Sequence, residues 1–430
     1  MSAPEPEIDN KQSKRLKRND DEEKVEESPK KPALTSPSKG SKPEEKKQAA
    51  SPLKAPIHPE QKSDKTEPTP TLEVQGDLKD YDTLRPPSDP LWCPEKDSPH
   101  SKGMRMPFGF VCKALQLIEN TEGKNSRTVV VEIITNVFRS ALVNFPEELP
   151  DLYYFFIVKL APDFEALETG IGHEVSVKAI AKACGKTPKE VRDIYKDEGD
   201  LGSVVQKGKK NQGTLGGFFK TKSTATKKEL TFRHVFDEFR RIAKTSGNNS
   251  AMQKESIFVK LLQDSSNDEA KYIVRFLQKT LKTGAAEKTV ITALARAIVY
   301  TPPNKAGVLN QKKKIGDEEF FKLCDEVEHS IKQAICEFPN YGKVIEALMV
   351  CGDEHARLKD SCFIRVGIPV KPMLAKPTKG VHIVLERFEG IEFTCEYKYD
   401  GFRGQIHFDR SRQDQGKDCH IYSRNLENMS

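Results

Sequence analysis

Lys398 is the residue in this chain best suited to covalent chemistry. It stands in Glu396-Tyr397-Lys398-Tyr399-Asp400-Gly401-Phe402-Arg403, between two runs of strand-forming residues, 393–397 and 404–408. The Asp-Gly pair predicts a tight turn, so the segment reads as strand, loop, strand. A lysine amine attacks only when neutral, and its ordinary pKa is about 10.4. Desolvation or a neighbouring cation must lower that value before the amine becomes a nucleophile at neutral pH. Arg403 would supply positive field and a planar fork for phosphate oxygens. Attack on a nucleotide would give a lysine–nucleotide phosphoramidate. A lysine before Asp-Gly is also, in many chains, only a solvated turn residue.

The elements that must carry this segment lie upstream. Val129, Val130, Ile133, Ile134, Val137, Phe138 and Leu142 recur at helical spacing. Residues 152–160 and 175–184 read as further buried helices. Thr187-Pro188-Lys189-Glu190-Val191 predicts a capped helix start with proline in the first turn. Later helices are expected over 255–262, 268–282, 286–300 and 317–336. The middle of the chain is therefore expected to be all-α with its own core. Trp92, the only tryptophan, sits in a loop expected to anchor on it. Residues 1–84 are dominated by Lys, Glu, Ser and Pro, too apolar-poor to offset ordering entropy, and are expected to be disordered.

A second chemistry is readable at 277–288, where Lys279, Lys282 and Lys288 surround Gly284. One helix is expected to end near Gly284 and another to begin near Ala286, so backbone amides and the three lysines would face phosphates together. An exposed charged helix face is the plainer alternative.

Three segments resemble, in order, the linked motifs of ATP-dependent DNA ligases, and among them the eukaryotic replicative type. They are Pro369-Val370-Lys371-Pro372-Met373-Leu374-Ala375-Lys376-Pro377-Thr378, Glu396 to Gly401 with Arg403, and Tyr422-Ser423-Arg424-Asn425. The likeness covers about residues 85–430. It implies a multidomain protein: a disordered tail (1–84), an all-α DNA-binding domain (85–362) with a basic Gly-rich loop at about 203–229, and the first part of an α+β adenylation, or nucleotidyltransferase, domain (363–430). It implies that Lys398 accepts AMP, that Glu396 lies against the adenine, and that Arg403 and Arg424 hold the nucleotide or the nick phosphate. Glu396 alone would otherwise pass for a strand-end carboxylate and Arg424 for a surface cation. The helical domain would grip nicked double-stranded DNA through Lys279, Lys282, Gly284 and Lys288, with Arg127 as a further contact. The family commonly has arginine where this chain has Lys282, which keeps the charge and loses the fork. ATP and Mg2+ are the implied cofactors, and no metal-ligating residue is assigned.

The family continues beyond the motifs found here, with a metal-binding carboxylate, further lysines and an OB domain. The expectation is therefore a ligase of replication, repair and recombination whose catalytic unit is C-terminally truncated, OB domain absent. The competing reading is a non-catalytic DNA-binding and clamp-binding protein derived from a ligase. A capping-type nucleotidyl transferase shares the lysine motif without the long helical region.

Gln212-Gly213-Thr214-Leu215-Gly216-Gly217-Phe218-Phe219 has the order of a sliding-clamp motif: Gln212, an aliphatic Leu215, then Phe218 and Phe219. The same residues also suit a surface loop between two halves of the helical domain. Composition narrows the setting. The 430 residues carry a net charge of +6 and 31% charged side chains. No apolar run is long enough for a bilayer, and the N-terminus lacks a signal-peptide core. The nine cysteines show no zinc-knuckle spacing, as expected for a reduced compartment. The basic cluster Lys14-Arg15-Leu16-Lys17-Arg18 suggests nuclear import, and Ser-Pro pairs at 28, 36 and 51 suggest phosphorylation. A nuclear monomer is expected.

Overall fold

Apolar residues at three- and four-residue spacing from Phe108 onward build a layered helical bundle. The computed structural model describes residues 85–430 except 88, 90–91, 100–104, 124–125, 217–228, 374, 376, 398–399 and 411–418, with backbone alone for 210–216. The expectations for the tail, its basic cluster and its Ser-Pro pairs lie outside the described residues. In order come α1 (Phe108–Glu119), α2 (Ser126–Asn144), α3 (Leu149–Phe156), α4 (His173–Cys184), α5 (Pro188–Glu198), α6 (Leu201–Gly216), α7 (Phe232–Lys244) and α8 (Ser250–Asp264). There follow α9 (Asn267–Leu277), α10 (Glu287–Tyr300), α11 (Lys312–Ile315), α12 (Asp317–Glu337), α13 (Tyr341–Cys351) and α14 (Leu358–Ser361). A short helix α15 (Val381–Arg387) and two strands, β1 (Gly404–Phe408) and β2 (Cys419–Ser423), follow, and short 3-10 turns lie at Pro146–Glu148, Asp163–Glu165 and His355–Arg357.

Aromatic rings tie the helices together. Phe276 of α9 stacks on Phe155 of α3 at 5.1 Å and on Phe239 of α7 at 4.5 Å. Phe138 of α2 and Tyr341 of α13 flank Tyr153 of α3. All are buried, and truncating one such ring costs about 3–5 kcal/mol. Local signals set the helix starts. The expected capped start of α5 is a capping box made by Thr187 and Glu190, and Ser266 and Glu269 form another at α9. Trp92 is buried, as expected of an anchor.

Three expectations need correction. The segment from 203 begins as helix: α6 continues to Gly216, because Leu201, Val204 and Val205 are buried in the core and α6 packs on α9. α9 stops at Leu277 instead of reaching Lys282, for the backbone reasons given below. Residues 393–397 form no strand; they have no ladder partner among the described residues, and a strand exists only by pairing. The following run does form β1, antiparallel to β2 with Ile406 opposite Ile421.

Candidate nucleic-acid interface and nucleotidyl-transfer segment

The basic turn after α9 is built from left-handed residues. Lys279 N–H donates to Phe276 O and Thr280 N–H to Arg275 O, both at 2.9 Å, which closes α9 in a Schellman motif. Lys279 takes the left-handed position at φ 55°, Lys282 follows at 57° and Gly284 at 63°. Such a backbone costs a non-glycine residue about 1–2 kcal/mol and persists only where the surroundings enforce it. Leu281, buried between the two lysines, pins the turn to the core. Lys279 and Lys282 are thereby turned outward, each about half exposed or more.

Beneath the turn lies an ion network, centred on the buried Arg275, that sequence reasoning missed. Arg275 donates to both Glu119 oxygens and, through Nε and Nη2, to Asp200. Lys271 Nζ adds a 2.8 Å bond to Glu119. Burial pushes the Glu119 carboxyl up, but hydrogen bonds from Arg275 and Lys271 outweigh it and hold its pKa at about 2. Asp200 also accepts from the Gly202 and Ser203 amides, so it fixes the start of α6. Lys282 approaches Asp200 at 3.8 Å, and Lys279 pairs with Glu168 at 2.8 Å. These exposed lysine pairs are weak and open to competition by phosphate. The readable signal was Lys271, Tyr272 and Arg275 on a helix whose other faces are apolar.

Arg127 and Lys288 come to the same end of the bundle. Thr135 Oγ1 of α2 lies 3.3 Å from Ala293 O of α10, and four residues later Arg139 Nε lies 3.1 Å from Thr301 Oγ1. The two helices therefore run parallel, with Arg127 and Lys288 each second in its helix. Both are exposed.

Lys371 links this end to the downstream segment. Its Nζ donates to Glu287 Oε1 at 2.9 Å and lies 2.8 Å from Tyr341 Oη, while its N–H donates to Cys336 O. Burial raises the Glu287 carboxyl, but the Lys371 and Tyr341 hydrogen bonds outweigh it and hold the group below its ordinary value. The β1–β2 hairpin is fastened to 367–370. Gln405 brackets Val370 through both its amide and its carbonyl, and Tyr422 Oη donates to Gly367 O at 2.7 Å. A cleft of about 840 Å³ opens beside Lys371. It brings together Lys279, Lys371 and Arg424, with Asp163, Glu168 and Glu427 as the acids on its wall.

The other sequence-predicted residues are placed differently. Glu396 and Arg403 are exposed and line none of the described clefts. Lys398 lies outside the described residues, as do Phe218 and Phe219. Gln212 and Leu215 fall on the α6 backbone, their side chains outside the description. Among the described residues, no helix is long and apolar enough to cross a membrane.

A helical module with exposed lysines in a basic turn at one end, followed by a segment that resembles the nucleotidyl-transfer motif, points to a nucleic-acid-joining class of protein. The comparisons agree. The family model described as DNA ligase N terminus matches residues 107–295, and the ATP dependent DNA ligase domain matches residues 372–430. DNA ligase 1 of Arabidopsis thaliana is 38% identical over 340 residues, covering 78% of this chain and 39% of that protein. DNA ligase 1 of Saccharomyces cerevisiae is 36% identical over 328 residues, covering 76% and 40% respectively. DNA ligase 1 of Dictyostelium discoideum is 35% identical over 361 residues, covering 83% and 28%. This chain belongs to the ATP-dependent DNA ligase family. It spans between about a quarter and a half of the length of the curated relatives it matches.

Proposed function

We propose that this chain serves ATP-dependent joining of nicked double-stranded DNA, with its helical region holding the duplex and Lys398 as the AMP-accepting nucleophile. The observation that carries the reading is the convergence of Arg127, Gly284 and Lys288 at one end of parallel helices, with Lys279 shared between that turn and the cleft holding Arg424. In this reading ATP adenylylates Lys398, AMP passes to the 5′-phosphate, and the 3′-hydroxyl displaces AMP. Glu396 would accept from the adenine, and Arg403 and Arg424 would hold phosphate oxygens. The chemistry of this donor set (a carboxylate, an amine and two guanidiniums) fits a nucleotide. Mg2+, when bound, would neutralise phosphate charge. The setting would be nuclear, in replication, repair and recombination, with the protein a monomer and the sliding clamp met through Gln212, Leu215, Phe218 and Phe219.

A second reading has its own support. Tyr397 and Phe402 are 89% and 110% exposed, so no dry, preorganised pocket surrounds the lysine segment among the described residues. The chain by itself would then hold DNA, and the clamp, without completing the chemistry.

One measurement tests the shared interface and a second separates the two readings. Affinity for a nicked duplex should fall steeply with salt. Replacing Lys279, Lys282 and Lys288 with Glu should flatten that slope by about 0.9 per lost phosphate contact; an unchanged slope overturns the interface. With α-labelled ATP and Mg2+, a covalent band abolished by Lys398→Ala would support the enzyme and reject the incomplete-catalyst reading. No band alongside intact duplex binding would favour the second.

A further inference from the structure

A second cleft, of about 430 Å³, runs between α2, α10 and α12 and is lined by none of the residues assigned above to DNA or nucleotide, although its Thr128 adjoins Arg127. Its floor is Arg139, only 4% exposed. The guanidinium lies 5.3 Å from the Trp92 ring centroid and 4.7 Å from that of Tyr300. Its three hydrogen bonds go to neutral acceptors: Thr301 Oγ1, Asn136 Oδ1 and Leu309 O. Arginine has five N–H donors, so among the described residues two find no acceptor, and no ion pair to Arg139 forms there either. A buried cation ordinarily has a carboxylate beside it. Burial lowers the Arg139 pKa to about 10, which leaves it charged at neutral pH.

Trp92 supplies an independent observation. Its ring is 3% exposed, its Nε1 has no hydrogen-bond partner among the described residues, and it lines the same cleft. Indole and guanidinium nitrogen are donors only, so the missing partner is an acceptor. Arg296, Lys312 and Lys313 also line the cleft. The carboxylates there are Glu132 and Asp317, and Asp317 is already 3.4 Å from Lys312 Nζ.

We propose that this cleft is a phosphate-binding site, in which the spare Arg139 donors and the Trp92 indole N–H take a phosphate oxygen while Arg296 and Lys313 close over the charge. The site rests on its own donors and does not depend on the ligase reading. The phosphate has two sources, a free anion or a DNA backbone, with the same recognition chemistry.

Trp92 is the only tryptophan in the chain, so its emission reports this cleft directly. The full chain is titrated with inorganic phosphate at constant ionic strength, with chloride as the control and Trp92→Phe as the blank. The expected result is a saturable change with phosphate that chloride does not reproduce. The rim variant Arg296→Gln with Lys313→Gln, checked by circular dichroism, should weaken it about tenfold or more, as charge-assisted bonds are lost. Arg139→Gln should abolish it; should that variant fail to fold, the rim variant decides alone. A short nicked duplex that displaces phosphate identifies the backbone as the source, and one that leaves phosphate binding unchanged identifies a free anion. An emission that follows ionic strength alone, or saturates equally in the rim variant, overturns the site.

Discussion

Arg275 shows how one buried side chain can organise a surface it does not reach. At 2% side-chain exposure it bridges Glu119 on α1 and Asp200 at the head of α6. It thereby fixes the ground from which Lys282 projects. Arg275→Met would keep the volume and remove the cation shared by both carboxylates, leaving Glu119 to Lys271 and Asp200 to the α6 amides and Lys282, and should lower stability by about 3 kcal/mol in urea unfolding, the low end for a broken buried pair. The pH response has a definite sign. Glu119 is held at about 2 against an ordinary 4.5. Its contribution is therefore full above about pH 4.5 and drains away as pH falls towards 2. Arg275→Met should abolish that part of the acid sensitivity; an unaltered acid limb would show that Lys271 suffices. Little of this was legible beforehand. Lys271 and Arg275 sit one turn apart in an apolar helix, which signals a buried charge, but their acids are 75 and 156 residues from Arg275 in the chain.

At the scale of elements, the α9–α10 connection carries the proposed binding surface, and its shape comes from backbone conformation. The sequence places Lys279, Lys282 and Lys288 around this connection, but its pattern extends the helix to Lys282, whereas α9 ends at Leu277. Lysine is a good helix former, and nothing local announces that Lys279 will take the seat usually held by glycine. Burial of Leu281 sets the break, and burial is a property of the packed bundle. Gly284 tests the turn without side-chain interference, since an added Cβ would meet nothing within 4 Å. Gly284→Val should still destabilise by about 1–2 kcal/mol through strain at positive φ. Lys282→Gly should hold or gain stability while weakening duplex binding. Equal losses of stability in both variants would contradict the strained-turn account. The clamp motif gives the converse lesson: Gly213 and Gly216 suggested a loop, whereas packing of the preceding Leu201, Val204 and Val205 carries the α6 backbone on to Gly216.

Across the whole molecule, Lys371 joins the helical region to the nucleotidyl-transfer segment. It reaches Glu287, the first residue of α10, from the strip that also holds the hairpin. Lys371→Ala should speed hydrogen exchange over 367–371 and in β1 and β2, with α2 and α10 unaffected. Unchanged protection would assign the docking to Gln405 and Tyr422 instead. The motif containing Lys371 was plain in the sequence, but its partners were not. The helical class, the capped start of α5 and the family motifs were legible in the sequence alone, because periodicity, caps and motifs are written in neighbouring residues. Tertiary structure alone decided that Lys279 and Arg424 share a cleft, that Arg127 stands beside the α10 end, and that Arg139 and Trp92 keep unspent donors in one cavity. Those facts depend on which distant side chains exclude water from each other, and no local pattern encodes that.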